Sequence, residues 1–88
     1  MEGFDVEKAQ ILDIIVKHYR ANVDIPEDVE IDPAKSMLDQ GAGSLDVVEI
    51  TTAAMRELGV RVPRTELSKL TNIDELVDVF YGTVNAGA

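Results

Sequence analysis

Ile73, Leu76, Val77, Phe80 and Val84 stand at i, i+3, i+4, i+7 and i+11, the spacing of one face of an α-helix and not of a strand. A stripe of this kind demands a second apolar surface to cover it. Two upstream segments offer one. Between Asp5 and Arg20, the residues Val6, Ala9, Leu12, Ile15, Val16 and Tyr19 recur at spacings of three and four, and Ile11 and Ile14 widen the stripe. From Ser44 to about Leu58 two rows run side by side. One is Leu45, Val48, Thr52 and Met55; the other is Val47, Ile50, Thr51, Ala54 and Leu58. Asp46, Glu49, Ala53 and Arg56 fall on the remaining polar face. Three amphipathic helices of this length bury their stripes on one another. The predicted fold class is all-α, a small bundle of three longer helices plus one or two short ones.

Local signals set the ends of these segments. Asp5 is placed to cap the first helix, and Lys17 and Arg20 suit its C-terminal dipole. Gly59 fits a left-handed C′ position after the second. Asn72 is a good N-cap for the last, with Asp74 and Glu75 in its first turn. Residues 21–43 hold Pro26 and Pro33 among many Asp, Asn and Gly, and read as a long first loop. A loop of that length hints at function. A short helical turn is expected around Ala34 to Leu38, and Val29, Ile31, Met37 and Leu38 are expected to pin the loop to the core. After Pro63 a short helix over Arg64 to Leu70 follows. The chain of 88 residues is read as a single domain, with a core over about 5–82 and a frayed tail over 83–88.

Composition removes several functions. There is no cysteine, so disulfides, thiolate metal sites and a cysteine nucleophile are excluded. A single histidine, His18, offers no zinc site and is expected at the surface of the first helix. The formal net charge of -9 repels nucleic acid and anionic membrane and favours basic protein surfaces. No apolar run reaches the length of a membrane span. The first residues lack the basic and apolar regions of a secretory signal, which points to a cytoplasmic protein.

The stretch "GAGSLDVVEI" carries the chemistry. Ser44 opens the second helix and is read locally as its N-cap. A hydrolase elbow would need a glycine where Asp46 stands, a strand before the serine and a catalytic histidine near it. A calcium loop starting at Asp39 would need oxygen ligands at Gly41 and Gly43 and a glutamate at Ile50. Neither pattern is met, and no metal ligand set is proposed. The local capping role remains.

"LDQGAGSLDVVEI" followed by "LGVRVPRTELSKLTNIDELVDVF" resembles the acyl carrier protein family. The likeness rests on Gly41-Ala42-Gly43-Ser44-Leu45-Asp46, then Glu49, Val62-Pro63 and Thr71-Asn72-Ile73, and covers about residues 5–82. The resemblance implies that Ser44 carries a covalent 4′-phosphopantetheine arm, added from coenzyme A by a phosphopantetheinyl transferase that uses magnesium. Acyl groups would ride on the arm's thiol as thioesters, in fatty-acid, lipid or polyketide-like synthesis. The protein would be a carrier and not a catalyst, read as a monomer. Asp46, Glu49, Arg56 and Glu57 would dock acyl-loading and acyl-transfer enzymes with basic surfaces. Thr51, Ala54, Met55, Val62 and Leu67 would line an acyl pocket. Two positions depart from the family pattern: Gly43 stands where Asp is usual, and Arg56 interrupts a run that is often acidic. Both point to a specialised stand-alone carrier. An aminoacyl or peptidyl carrier of the same fold, or an unmodified helical adaptor, are the alternatives.

Overall fold

A computed structural model of the chain describes residues 7–86. The order is α1 (Lys8–Asn22), a turn of 3-10 helix (Leu38–Gln40), α2 (Ser44–Leu58), a one-turn α3 (Arg64–Leu67) and α4 (Ile73–Ala86). This is the all-α bundle that the stripes predict. The expected cap at Asp5 and the apolar position Val6 lie outside the described residues. Within them, α1 opens after Glu7, whose N–H donates to Gln10 Oε1 at 2.9 Å.

The core is built from one ridge per long helix. α1 contributes Ile11, Ile15 and Tyr19, each fully buried. The sequence reading put Ile11 at the margin of a stripe centred on Leu12, Ile15 and Val16. The structure centres it on the i, i+4, i+8 row, leaving Leu12 and Val16 half-buried and Ala9 exposed. α4 buries Ile73, Leu76, Val77 and Phe80, with Val84 half-buried, and α2 buries Ile50, Thr51 and Ala54. α1 lies between α2 and α4 and makes most of the contacts among the long helices. Each fully buried large side chain contributes about 1.5–3 kcal/mol.

The helix ends obey their caps. Asn72 Oδ1 accepts the Glu75 N–H at 2.8 Å, and Glu75 Oε1 accepts the N–H groups of Thr71 at 2.8 Å and Asn72 at 3.2 Å. This reciprocal box closes the start of α4. The Thr71 N–H, then that of Asn72 and the Thr71 hydroxyl, hold the Glu75 carboxyl below the usual range. Gly59 takes φ 70° after α2, and the Val60 N–H reaches Met55 O at 3.0 Å, a Schellman closure. The tail expected to fray from residue 83 is helical through Ala86. There Thr83 Oγ1 and Asn85 Nδ2 donate to the carbonyls of Val79 and Tyr81. Residues 87 and 88 lie outside the described residues. α3 stops at Leu67, short of the expected Leu70, and a turn follows.

The long connection between α1 and α2 is strapped down. The side chain of Gln40 is its knot. Nε2 donates to the carbonyls of Asp32 at 2.8 Å and Lys35 at 3.1 Å, and Oε1 accepts the Asp32 N–H at 2.8 Å. The buried Tyr19 hydroxyl sits 3.0 Å from Met37 O and 2.9 Å from Gln40 O, and burial pushes its pKa up. Ser36 pairs with Asn72 in an isolated antiparallel bridge, and the Met37 N–H donates to Thr71 O at 2.9 Å. Met37 is buried and Ile31 half-buried, as pins should be. Val29 and Leu38 are 46% and 56% exposed and stay outside the core cluster, while Val23 and Ile25 join it in their place. The helical turn expected at Ala34 to Leu38 falls later, at Leu38–Gln40, where the Tyr19 hydroxyl fixes its ends.

Candidate functional site

Ser44 is exposed and is the first helical residue of α2. The sequence reading made it the N-cap. The structure gives that place to Gly43, in extended backbone at φ -88° and ψ 170°. Asp46, at N3, completes the start: its Oδ2 accepts the Gly43 N–H at 2.9 Å. The Gly43 N–H is therefore satisfied without Ser44, whose hydroxyl makes no hydrogen bond among the described residues. A hydroxyl held by no neighbour is available as a nucleophile. It also lies where the free N–H groups and dipole of a helix favour a phosphate ester.

The approach to Ser44 depends on Gly41. Its φ of 101° is in the left-handed region, and an added Cβ would meet Val23 Cγ1 at 3.6 Å. Only glycine takes that conformation at low cost. Gly43 has no such need, since its backbone is open to any residue. An added Cβ there would stand 3.4 Å from Asp46 Oδ2.

From Ser44 a groove of about 620 Å³ runs between α2, the segment before α3, α3 itself and the strap. Four expected pocket residues stand on its wall: Thr51, Met55, Val62 and Leu67. Ala54 does not. It is fully buried, because one step along a helix turns the side chain about 100°, from the groove to the core. The sequence reading missed the wall residues Met37, Val47, Val48 and Leu70, and also Arg64. The row Leu45, Val48, Thr52, Met55 held part of the signal, for it marks a second apolar face on α2 that the core does not cover. Two polar groups of the wall are satisfied locally. Thr51 Oγ1 donates to Val48 O at 3.0 Å, and the Val62 N–H meets Met55 Sδ at 3.2 Å.

The four expected docking residues separate. Glu49 and Arg56 are exposed on the polar face of α2, while Asp46 is half-buried in its cap. Glu57 faces α1 instead. Its carboxylate lies 2.8 Å from Lys17 Nζ and 2.8 Å from His18 Nε2. The Lys17 hydrogen bond, then that of His18, holds its pKa below the usual range. His18, expected at the surface, is half-buried by that contact; its side chain keeps 21% exposure. Among the described residues no three His, Cys, Asp or Glu side chains gather as a metal site, and no helix is long and apolar enough to cross a membrane.

Residues 13–80 match the family model described as a phosphopantetheine attachment site. The chain is 28% identical over 81 residues to the polyketide biosynthesis acyl-carrier-protein AcpK of Bacillus subtilis, covering 92% of this chain and 99% of that one. It is 35% identical to an acyl carrier protein of Campylobacter hominis, over 88% of this chain and 87% of the relative. Among solved structures, it resembles a chain in the crystal structure of the curacin biosynthetic pathway HMG synthase in complex with an acetyl donor-ACP. The TM-score is 0.79 at 35% identity, covering 89% of this chain and all of the other.

Proposed function

The chain belongs to the acyl carrier protein family, with its covalently attached 4′-phosphopantetheine, and we propose that Ser44 is the residue that bears the arm. One observation carries this reading. Ser44 is an exposed hydroxyl, unused by its own helix cap, at the mouth of a largely apolar groove. The arm's phosphodiester would face the first N–H groups of α2. The arm supplies the thiol that the chain lacks and holds an acyl group there as a thioester.

In this reading the protein is a substrate shuttle, not a catalyst, and works as a cytoplasmic monomer across one domain of residues 1–88. The likeness to AcpK and to the carrier bound to HMG synthase favours polyketide-like synthesis over housekeeping fatty-acid synthesis. Asp46, Glu49 and Arg56 form the docking face in this reading, and Glu57 serves to join α1 and α2. The groove wall of Thr51, Met55, Val62 and Leu67 shelters the acyl chain, and each buried methylene contributes about 0.8 kcal/mol. Basic enzyme surfaces would be steered by Asp46 and Glu49, mainly through the association rate.

The test is the mass of the intact protein after incubation with coenzyme A, magnesium and a broad phosphopantetheinyl transferase. The wild type should gain one arm and Ser44→Ala none. An arm on Ser44→Ala, or none on the wild type with any transferase tried, would reject Ser44 as the site. Gly43→Asp should speed the modification, since its backbone accepts a side chain and the family's usual carboxylate is restored.

A further inference from the structure

The chain holds 17 acidic residues, yet among the described residues no carboxylate stands on the wall of the groove that starts at Ser44, and the one charged lining residue is a cation, Arg64. Arg64 is the first residue of the one-turn α3, just after Pro63, and is exposed at the groove. Among the described residues Arg64, like Arg56 and Arg61, is in no ion pair. The rest of the wall is aliphatic side chains, methionines and hydroxyls.

Resting on the reading that Ser44 bears the arm, we propose that this groove selects acyl groups that end in a carboxylate, with Arg64 as the specificity-determining residue. Such a group is a half-thioester of a dicarboxylic acid. Its methylenes lie against Val47, Met55 and Leu67, and its free carboxylate accepts N–H bonds from the planar guanidinium. No like charge on the wall opposes its entry. A plain alkyl chain of equal length gains the same apolar contacts but leaves Arg64 in water. The same anion chemistry has a second source, the phosphodiester on Ser44 itself, and the experiment separates the two.

The wild type, Arg64→Gln and Arg64→Lys are loaded by a broad transferase from coenzyme A, pentanoyl-coenzyme A and glutaryl-coenzyme A, and each product is weighed. Failure of all three to load would reject the attachment reading and take this one with it. The Arg64 Nε–Hε resonance should move in the glutaryl form and stay in place in the pentanoyl and unacylated forms. Hydroxylamine should cleave the glutaryl thioester about two- to fivefold more slowly in the wild type than in Arg64→Gln, the range of an exposed ion pair. Arg64→Lys should recover part of that protection, and pentanoyl cleavage should be the same in all three proteins. An equal shift in the unacylated form would assign Arg64 to the phosphodiester. No shift with glutaryl, or equal glutaryl cleavage in the wild type and Arg64→Gln, would overturn the proposal.

Discussion

α2 carries two apolar faces, and they are packed in different ways. One, made by Ile50, Thr51 and Ala54, lies in the core and is no more than 4% exposed. The other, made by Val48, Thr52 and Met55, looks across the groove at Val62 and Leu67 and leaves about 620 Å³ between them. Thr51 stands on the border of both. The core face fixes where the helix is, and the groove face leaves room beside it. In the proposed reading, a guest would enter without disturbing the helix that holds Ser44. The groove is closed not by a fourth long helix but by a one-turn helix and a strapped loop, elements with little apolar area of their own.

The contrast is broken first by paired truncations. Ile50→Ala removes a fully buried side chain and should cost about 2–5 kcal/mol, read from urea unfolding. Leu67→Ala, on the half-buried groove wall, should cost much less. Equal losses would mean that the groove is as tightly packed as the core.

Two glycines should then move stability in opposite directions. Gly41→Ala must hold a Cβ at φ 101° and should cost about 1–2 kcal/mol. Gly82, in exposed α4 with nothing within 4 Å of its added Cβ, should gain about 0.5–1 kcal/mol as Ala. If Gly41→Ala is neutral, the strap tolerates rearrangement and the groove's outer bank is soft. Tyr19→Phe tests that bank from the other side. It deletes the hydroxyl between Met37 O and Gln40 O and should cost about 1 kcal/mol, with NMR shift changes concentrated in residues 32–42.

The smallest effect is a pH dependence. Glu75 has its folded pKa lowered by the Thr71 and Asn72 N–H groups. Its contribution is present above the ordinary carboxylate range and is lost as pH falls through the folded value. The stability gap between wild type and Glu75→Gln should therefore be widest near neutrality and close in acid. A gap that widens in acid would contradict the cap.

The α4 face was legible because its stripe is continuous: Ile73, Leu76, Val77, Phe80 and Val84 keep one helical spacing, and only Val79 and Tyr81 stand beside it. Gly59 and Asn72 were legible because each end signal acts within a few residues. α2 was harder. Its two adjacent apolar rows fix the helix period but not which row meets the core, so Ala54 was put in the pocket and Val48 was left out. The serine was located but its capping role was misread, because Gly43 and Ser44 are both acceptable N-caps and only the position of Asp46 decides between them. The strap was hidden altogether. Gln40 and Tyr19 act through partners many residues away, and no local pattern announces a side chain that bonds backbone carbonyls across a loop. Glu57 likewise looked like a docking acid until α1 supplied Lys17 and His18.

The Gln40 knot has a consequence in time. Its amide ties Asp32 and Lys35 to the segment that leads into α2, and the carbonyl of the same residue receives the Tyr19 hydroxyl. Bonds gathered on one residue are not lost one by one. The backbone amide of Asp32, which donates to Gln40, and those of Met37 and Ala42, which donate to Thr71 O and Met37 O on either side of the knot, should exchange with solvent as a single cooperative unit. The helical core would exchange on a slower clock of its own. The outer bank of the groove would thus be either shut or released, with no graded states between, and the rate of that one event would limit how fast a guest enters or leaves.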